Sequence, residues 1–463
     1  MALDVASDDA FSDARTLLGR FARLDTTPST VLEEQERRLA ALEPRLRCYI
    51  THDAQGARAA ALAADAAWRE GRPRALLGLT LGVKDLYDVQ GLPTTGGSGA
   101  YGEEPAQEDA VVVRRLRRAG AVITGKLNTE ELAFGVISDP TRNPYDTSRI
   151  PGGSSGGSAA ALAAGLVHLS IGTDTAGSIR IPAALCGVVG FKPSQGIVPR
   201  TGIMPLSYSL DHAGPLARDI ASARLLFSVM SGPDADDPLA LPALPEPPGP
   251  AGGLGVPWAW FQEELDPDSL DLFDQALAQL AAMGLRPQGL DWPPPEEFAA
   301  LQGRIRAPET YLVHRDAVAQ RPERFGPGLV GRIVAGRAAE GVDYVLAQRE
   351  RHQLKRSLER DLERRGIGLV ALPTTPIPAP SVGQSRTALR NGTELSVRDA
   401  LIRYTAPFNV TGWPALSLPL GLGRDGLPWG LQLVARPYDD QRLLDTAEEL
   451  ERRLPALPRP PVA

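Results

Sequence analysis

Between Pro151 and Gly165 the chain reads PGGSSGGSAAALAAG, a run with no side chain larger than leucine. Four glycines within Gly152–Ser158 open backbone conformations closed to other residues. The small residues of Ala159–Gly165 then read as a helix whose backbone can pack close to a neighbour. Around this run, strand and helix patterns alternate. Leu76–Val83 is a short apolar strand, Ala110–Ala119 a helix with an Arg-rich exposed face, and Ala121–Thr124 a second strand. That rhythm predicts α/β architecture.

The same patterns predict helix over 29–70, over Ser269–Met283, through the charged stretch 300–365 and over Asp440–Arg452. Strands are expected at Leu254–Pro257, Ile367–Leu372, Ala415–Leu420 and Leu427–Val434. Pro and Gly crowd 232–253, which reads as an exposed connector, and the tail RLPALPRPPVA reads as loose. With 463 residues, 43% apolar and 23% charged, the chain is long enough for a large buried core.

A net charge of −7 offers no general attraction to phosphate backbones, which argues against direct nucleic-acid binding. Alternating charges in RERHQLKRSLERDLERR read as a solvated helix face. Met1–Arg20 carries Asp4, Asp8, Asp9 and Asp13 without the pattern of a secretory signal, and no apolar run spans a bilayer. The expectation is a cytoplasmic protein outside the membrane. Cys48 and Cys186 match neither a metal spacing nor a disulfide framework and read as buried thiols.

Only four of the 49 basic residues are lysine: Lys84, Lys126, Lys192 and Lys355. A chain that gives nearly every cationic role to arginine makes each lysine informative. Lys84 closes the apolar strand LLGLTLGV, where burial would favour its neutral form. An ordinary ion pair with adjacent Asp85 is the competing reading. Lys126 in GKLN and Lys192 in GFKP read as structural.

GGSSGGS is not a phosphate-binding loop, because Ser158 stands where that motif requires lysine. In GTDTAGSIRIP, residues 172–182, the amides of Thr175, Ala176, Gly177 and Ser178 can converge on one point as an oxyanion hole does. A tight turn between elements is the plainer alternative for that segment taken alone.

Together these blocks resemble the amidase signature family. The match runs through GVKDLYDVQGLPTTGGS, GKLNTEELAFG, RNPYD, PGGSSGGSAAALAAG, GTDTAGSIRIPAALCGVVGFKP and SLDHAGPLARD. It thins over 232–365 and returns in ALPTTPIPAP and FNVTGWPALSLPLG. The resemblance implies an α/β fold, a single large domain over 1–463 with a central mixed β-sheet covered by helices on both faces. It implies a core at 58–231 and 366–455, with a variable, mostly helical insertion at about 232–365.

By the same resemblance Lys84 is the catalytic lysine, Ser154 the bridging serine on a cis peptide, and Ser178 the nucleophile. Asp174 and Arg180 pair to hold the nucleophile turn, while Thr173 and Ser155 hydrogen-bond near Ser154. The implied activity is hydrolysis of a linear C–N bond other than a peptide bond, in a small-molecule amide, with no metal or organic cofactor. A homodimer is left open. The related alternative is the glutaminase component of a tRNA-dependent amidotransferase, although 300–365 and TGWPALSLPLG look more like stand-alone amidases.

Two departures bear on the pocket. Ala176 stands where many members have glycine, and Phe134–Arg142 is shorter than in many relatives and borders the substrate cleft. His212, read as lying in a turn, offers a Ser-His-Asp scheme as rival, but no GxSxG elbow accompanies it. Trp258, Trp260, Tyr311 and Tyr344 are read as core aromatics with a pocket role as the alternative.

Overall fold

The computed structural model describes residues 9–462 except 103, 244, 247, 248, 250 and 251. The first eight residues of the Met1–Arg20 reading, and part of the 232–253 connector, therefore lie outside the described residues. The strands are β1 Tyr49–His52, β2 Thr80–Lys84, β3 Val122–Leu127, β4 Leu169–Asp174, β5 Val189–Lys192 and β6 His212–Ala217. They continue as β7 Gly253–Val256, β8 Pro287–Gly289, β9 Ile367–Pro373, β10 Arg386–Ala388, β11 Glu394–Ser396, β12 Ala415–Leu422 and β13 Pro428–Ala435.

Among the described residues eleven of these form one mixed sheet in the order β1-β3-β2-β4-β6-β5-β12-β13-β9-β7-β8, while β10 and β11 form a separate hairpin. β3, β2 and β4 run parallel, and β6, β5, β12, β13 and β9 are joined by antiparallel pairings. Helices flank the sheet. Leu81 and Val83 of β2 enter a core shared with Val112, Leu116, Leu226 and Leu444. Leu127 and Leu216 join a second core with Ala159–Ala164 and Leu39, Leu42 and Leu46. Alternation along a strand delivers side chains to opposite layers in this way.

The small-residue helix, Gly156–Ala163, is buried along its whole length. Its close approach is visible at Gly157, where a Cβ would stand 2.6 Å from the Asn128 amide nitrogen and 2.7 Å from the Cys48 carbonyl oxygen. No side chain fits there. The glycine therefore sets the distance between this helix and the β1–β3 edge.

Several expectations need correction. Residues 29–70 form two helices, Pro28–Leu46 and Ala54–Arg69, with β1 between them. Arg47 ends the first in the left-handed region (φ 52°), and the Asp53 carboxylate caps the second through the Gly56 N–H at 2.9 Å. The strand expected from Leu76 begins at Thr80, because Gly78 (φ 87°) turns the chain before it. Within 232–365 the strand expected at Leu254–Pro257 is β7, Gly253–Val256, and β8 adds a further strand at the sheet edge.

The charged stretch 300–365 is interrupted, with helices Pro295–Gln320, Leu329–Val334 and Gly341–Arg365. The tail is docked, not loose. Tyr145 donates to the Pro458 carbonyl at 2.9 Å, and the Arg459 guanidinium lies 4.3 Å from the centre of the Phe11 ring. Cys48 and Cys186 are buried and free. Among the described residues no helix is long and apolar enough to cross a membrane.

Candidate active site

Lys84 is the last residue of β2, at the carboxyl end of the parallel strands, where α/β sheets leave room for a site. Its side chain is fully buried. Nζ donates to Ser154 Oγ at 2.7 Å and to Thr173 Oγ1 at 2.9 Å. Burial pulls its pKa down to about 7, against the opposing charges of Asp174, Asp211 and Glu130.

Asp85 is no partner for Lys84: its carboxylate pairs with Lys126 at 2.7 Å, both side chains fully buried. Lys126 also donates to the Pro93 carbonyl and to Thr94. Lys192 donates to the carbonyls of Trp413 (2.6 Å) and Pro193 (3.1 Å), and burial, reinforced by Arg180, pulls its pKa well below the usual range. Each sheet lysine is thus held by different partners, and Lys84 alone meets hydroxyls only.

Ser154 lies just ahead of the small-residue helix, and the Gly153–Ser154 peptide is cis. Its carbonyl accepts from Glu130 N–H at 3.1 Å and from Ser138 Oγ at 3.2 Å, which fixes the loop from the opposite side. Ser155 donates from Oγ to the Thr173 carbonyl (3.3 Å) and from N–H to the Ser178 carbonyl (3.1 Å). Among the described residues Lys84 and Ser154 share a side-chain hydrogen bond, and no such bond joins Ser154 to Ser178.

Ser178 follows a sharp turn off the end of β4. Gly177 takes φ 123°, and a Cβ there would stand 2.2 Å from Thr405 Oγ1. The Asp174 carboxylate anchors this turn by accepting from Gly177 N–H at 2.8 Å and Ile179 N–H at 3.1 Å. The Gly177 amide is therefore already engaged, and of the four expected oxyanion donors Thr175, Ala176 and Ser178 keep N–H groups without an acceptor among the described residues. Thr175 Oγ1 donates to Asp211 at 2.5 Å, which fixes the start of the turn.

Arg180 is fully buried, and all five of its N–H groups are used. It bonds Asp174 twice (2.8 and 3.0 Å), Asn409 Oδ1 (2.7 Å), Gln432 Oε1 (2.6 Å) and the Thr405 carbonyl (2.9 Å). Burial would raise the Asp174 carboxyl, but the Arg180 guanidinium outweighs it and holds the group well below the usual carboxylate range. Asn409 returns two bonds to Asp174, to its carbonyl and its carboxylate, each at 2.8 Å. Arg180→Met should cost about 3–5 kcal/mol, because it leaves Asp174 charged and buried without its cation. Urea unfolding checks this, and a loss below about 1 kcal/mol would remove the pair from its anchoring role.

Asn409, Gln432 and Thr405 were not legible as site residues. Asn409 stands in FNVTGWP, a block noted for resemblance alone, and Gln432 is one polar residue in an otherwise apolar strand. His212 begins β6 and does not lie in a turn. Its Nδ1 lies 2.8 Å from the Leu210 carbonyl and its Nε2 has no partner, so no serine is hydrogen-bonded to it. Trp260 packs in the core against Trp292 and Phe298, Trp258 packs on Phe261 and Phe273, and Tyr344 donates to Glu309 at 2.6 Å.

A small cavity of about 20 Å³ opens on Ser178 and is lined by Phe134, Val136, Gln302, Arg306 and Ile402 among others. Phe134, Gly135 and Val136 of the Phe134–Arg142 segment line it. Thr173, Thr175, Asp211 and His212 line a second cavity with Arg200 and Tyr208, which shares Thr175 and Leu206 with the first.

The family model described as Amidase matches residues 30–444. An amidase of Pseudomonas putida is 39% identical over 425 residues, covering 89% of this chain and 90% of its own. AtzE, a 1-carboxybiuret hydrolase subunit of Pseudomonas sp. (strain ADP), is 37% identical over 92% of this chain and 95% of its own. A glutamyl-tRNA(Gln) amidotransferase subunit of Anaeromyxobacter sp. (strain K) is 38% identical over 94% of both. A crystal structure of an amidase superposes with TM-score 0.87 at 37% identity, covering 96% of this chain and all of that one. The chain therefore belongs to the amidase signature family, whose hydrolases act on C–N bonds.

Proposed function

We propose that this chain hydrolyses a small carboxylic amide to a carboxylate and ammonia or an amine, through an acyl-enzyme on Ser178. Neutral Lys84 takes the Ser154 hydroxyl proton as Ser154 takes that of Ser178, whose oxygen attacks the amide carbonyl. The oxyanion rests on the amides of Thr175, Ala176 and Ser178. The proton returns through Ser154 to the leaving nitrogen, the C–N bond breaks, and water then cleaves the ester. The observation that carries this reading is the 2.7 Å contact of a fully buried Lys84, with no carboxylate partner among the described residues, on Ser154 Oγ.

The reading takes the chain as a cytoplasmic enzyme and as one amidase signature unit, core 58–231 and 366–455, with 232–365 its variable part. A neutral fluorophosphonate should label wild-type protein at Ser178 and leave Ser178→Ala unlabelled. Equal labelling of both proteins would discard Ser178 as nucleophile.

A second reading, the glutaminase component of a tRNA-dependent amidotransferase, draws support from the 38% identity to a glutamyl-tRNA(Gln) amidotransferase subunit. Ammonia release by the purified chain alone favours the first. A requirement for partner subunits, tRNA and ATP favours the second.

A further inference from the structure

Helix Pro295–Gln320 sends Gln302 and Arg306, one turn apart, into the Ser178 cavity. Both bring donors that the protein leaves unmet. Gln302 is 2% exposed, and its Nε2 has no hydrogen-bond partner. Arg306 forms neither a hydrogen bond nor an ion pair with any described residue. Its Nε is buried without a partner, and its guanidinium lies 4.7 Å from the centre of the Phe134 ring.

The surroundings add positive charge. Arg398 lines the same cavity, and Arg332 lies 4.8 Å from the centre of the same Phe134 ring. Burial, then repulsion from these two arginines, lowers the Arg306 pKa to about 10, which leaves it charged at neutral pH. The nearby acids are occupied: Asp399 accepts from Arg398 at 3.0 Å, and Glu130 accepts from the amides of Ile137 and Ser138. A half-buried guanidinium and a buried amide, both without a protein acceptor on one wall, need acceptors from water or from a bound ligand.

We propose that Gln302 and Arg306 receive a carboxylate carried by the substrate, so that the bond cleaved at Ser178 belongs to a small anionic amide. This rests on the Ser178 reading above. Guanidinium and carboxylate match in shape as well as charge. Val136, Leu206 and Ile402 leave the remaining wall apolar, suited to a short hydrocarbon link between carboxylate and amide.

The test uses two pairs of substrates. In one, the monoamide of a four- or five-carbon dicarboxylic acid is compared with the amide in which a methyl group replaces the carboxylate. In the other, the carboxylate or methyl group is on the leaving amine. Wild type should favour the anionic member of one pair by about 30-fold or more in kcat/KM, and the pair that shows it tells which side of the bond Arg306 faces. Arg306→Met should collapse that preference, chiefly through KM, with Arg306→Lys recovering part of it. Gln302→Leu should lower it less, and serves as the second variant should Arg306→Met fold poorly.

Equal kcat/KM within both pairs in wild type, or an Arg306→Met protein that keeps the preference, overturns the inference. Fluorophosphonate labelling separates the two readings. Labelling with no anionic preference sinks the carboxylate site alone, whereas a wild type that is never labelled sinks the Ser178 reading and this inference with it.

Discussion

Ser178→Ala is expected to lower amide turnover on the order of 10⁵-fold, as loss of a nucleophile does elsewhere, without changing the melting temperature. The first half follows from the covalent route. Without the hydroxyl no acyl-enzyme forms, and the residual rate is what bound amides and an oxyanion site give to water. The second half follows from the fold. Ser178 Oγ has no hydrogen bond among the described residues, and the turn is held by Asp174 through the amides of Gly177 and Ile179. The substitution removes an oxygen that supports nothing. Steady-state turnover and calorimetry on the same preparation check both halves, and retention of more than about 1% of wild-type turnover would reject the covalent route.

The second large effect is in pH. On the proposed mechanism Lys84 accepts a proton only when neutral, so acylation should fall about tenfold for each pH unit below about 7 and level off above it. Lys84→Met should lose on the order of 10³-fold or more in rate, and the limb with it. A limb of unchanged midpoint in the variant would assign the titration to another group.

Stability should also rise with pH, over a higher range. The unfolded chain holds the Lys84 proton up to about pH 10.4, whereas the folded chain releases it near 7. Between those values the unfolded state binds more protons, so stability contributed by this group rises with pH. The penalty is greatest below about 7, on the order of 4 kcal/mol, and vanishes above about 10.4. Lys84→Met escapes it, so its melting temperature relative to wild type should be highest near pH 6 and decline toward pH 10. A constant difference across that range would refute a neutral buried lysine.

The sequence was most legible where chemistry and backbone geometry coincide. GGSSGGS and the AGS of GTDTAGSIRIP use residue types that few other purposes demand, and Lys84 stood out because lysine is rare here. Elements with strong periodicity were found within a few residues. What escaped was set by contacts distant in sequence. Nothing local marks Tyr49–His52 as a strand, since its stability comes from pairing with Val122–Leu127 more than seventy residues later.

Arg180 likewise advertised its pairing with Asp174, six residues away, but not Asn409 or Gln432, which meet it only once β13 and the FNVTGWP segment fold against it. Gln302 and Arg306 lay in a stretch read as helical and charged, and their place on the wall of the Ser178 cavity is set by the fold alone.

The distribution of lysine has a consequence for handling the protein. Lys84, Lys126 and Lys192 are walled from water, and Lys355 alone reaches the surface, partly exposed beside Glu359. Among side-chain amines, amine-directed dyes, crosslinkers and resins therefore meet only Lys355, on helix Gly341–Arg365, and coupling confined to it would leave Lys84 untouched.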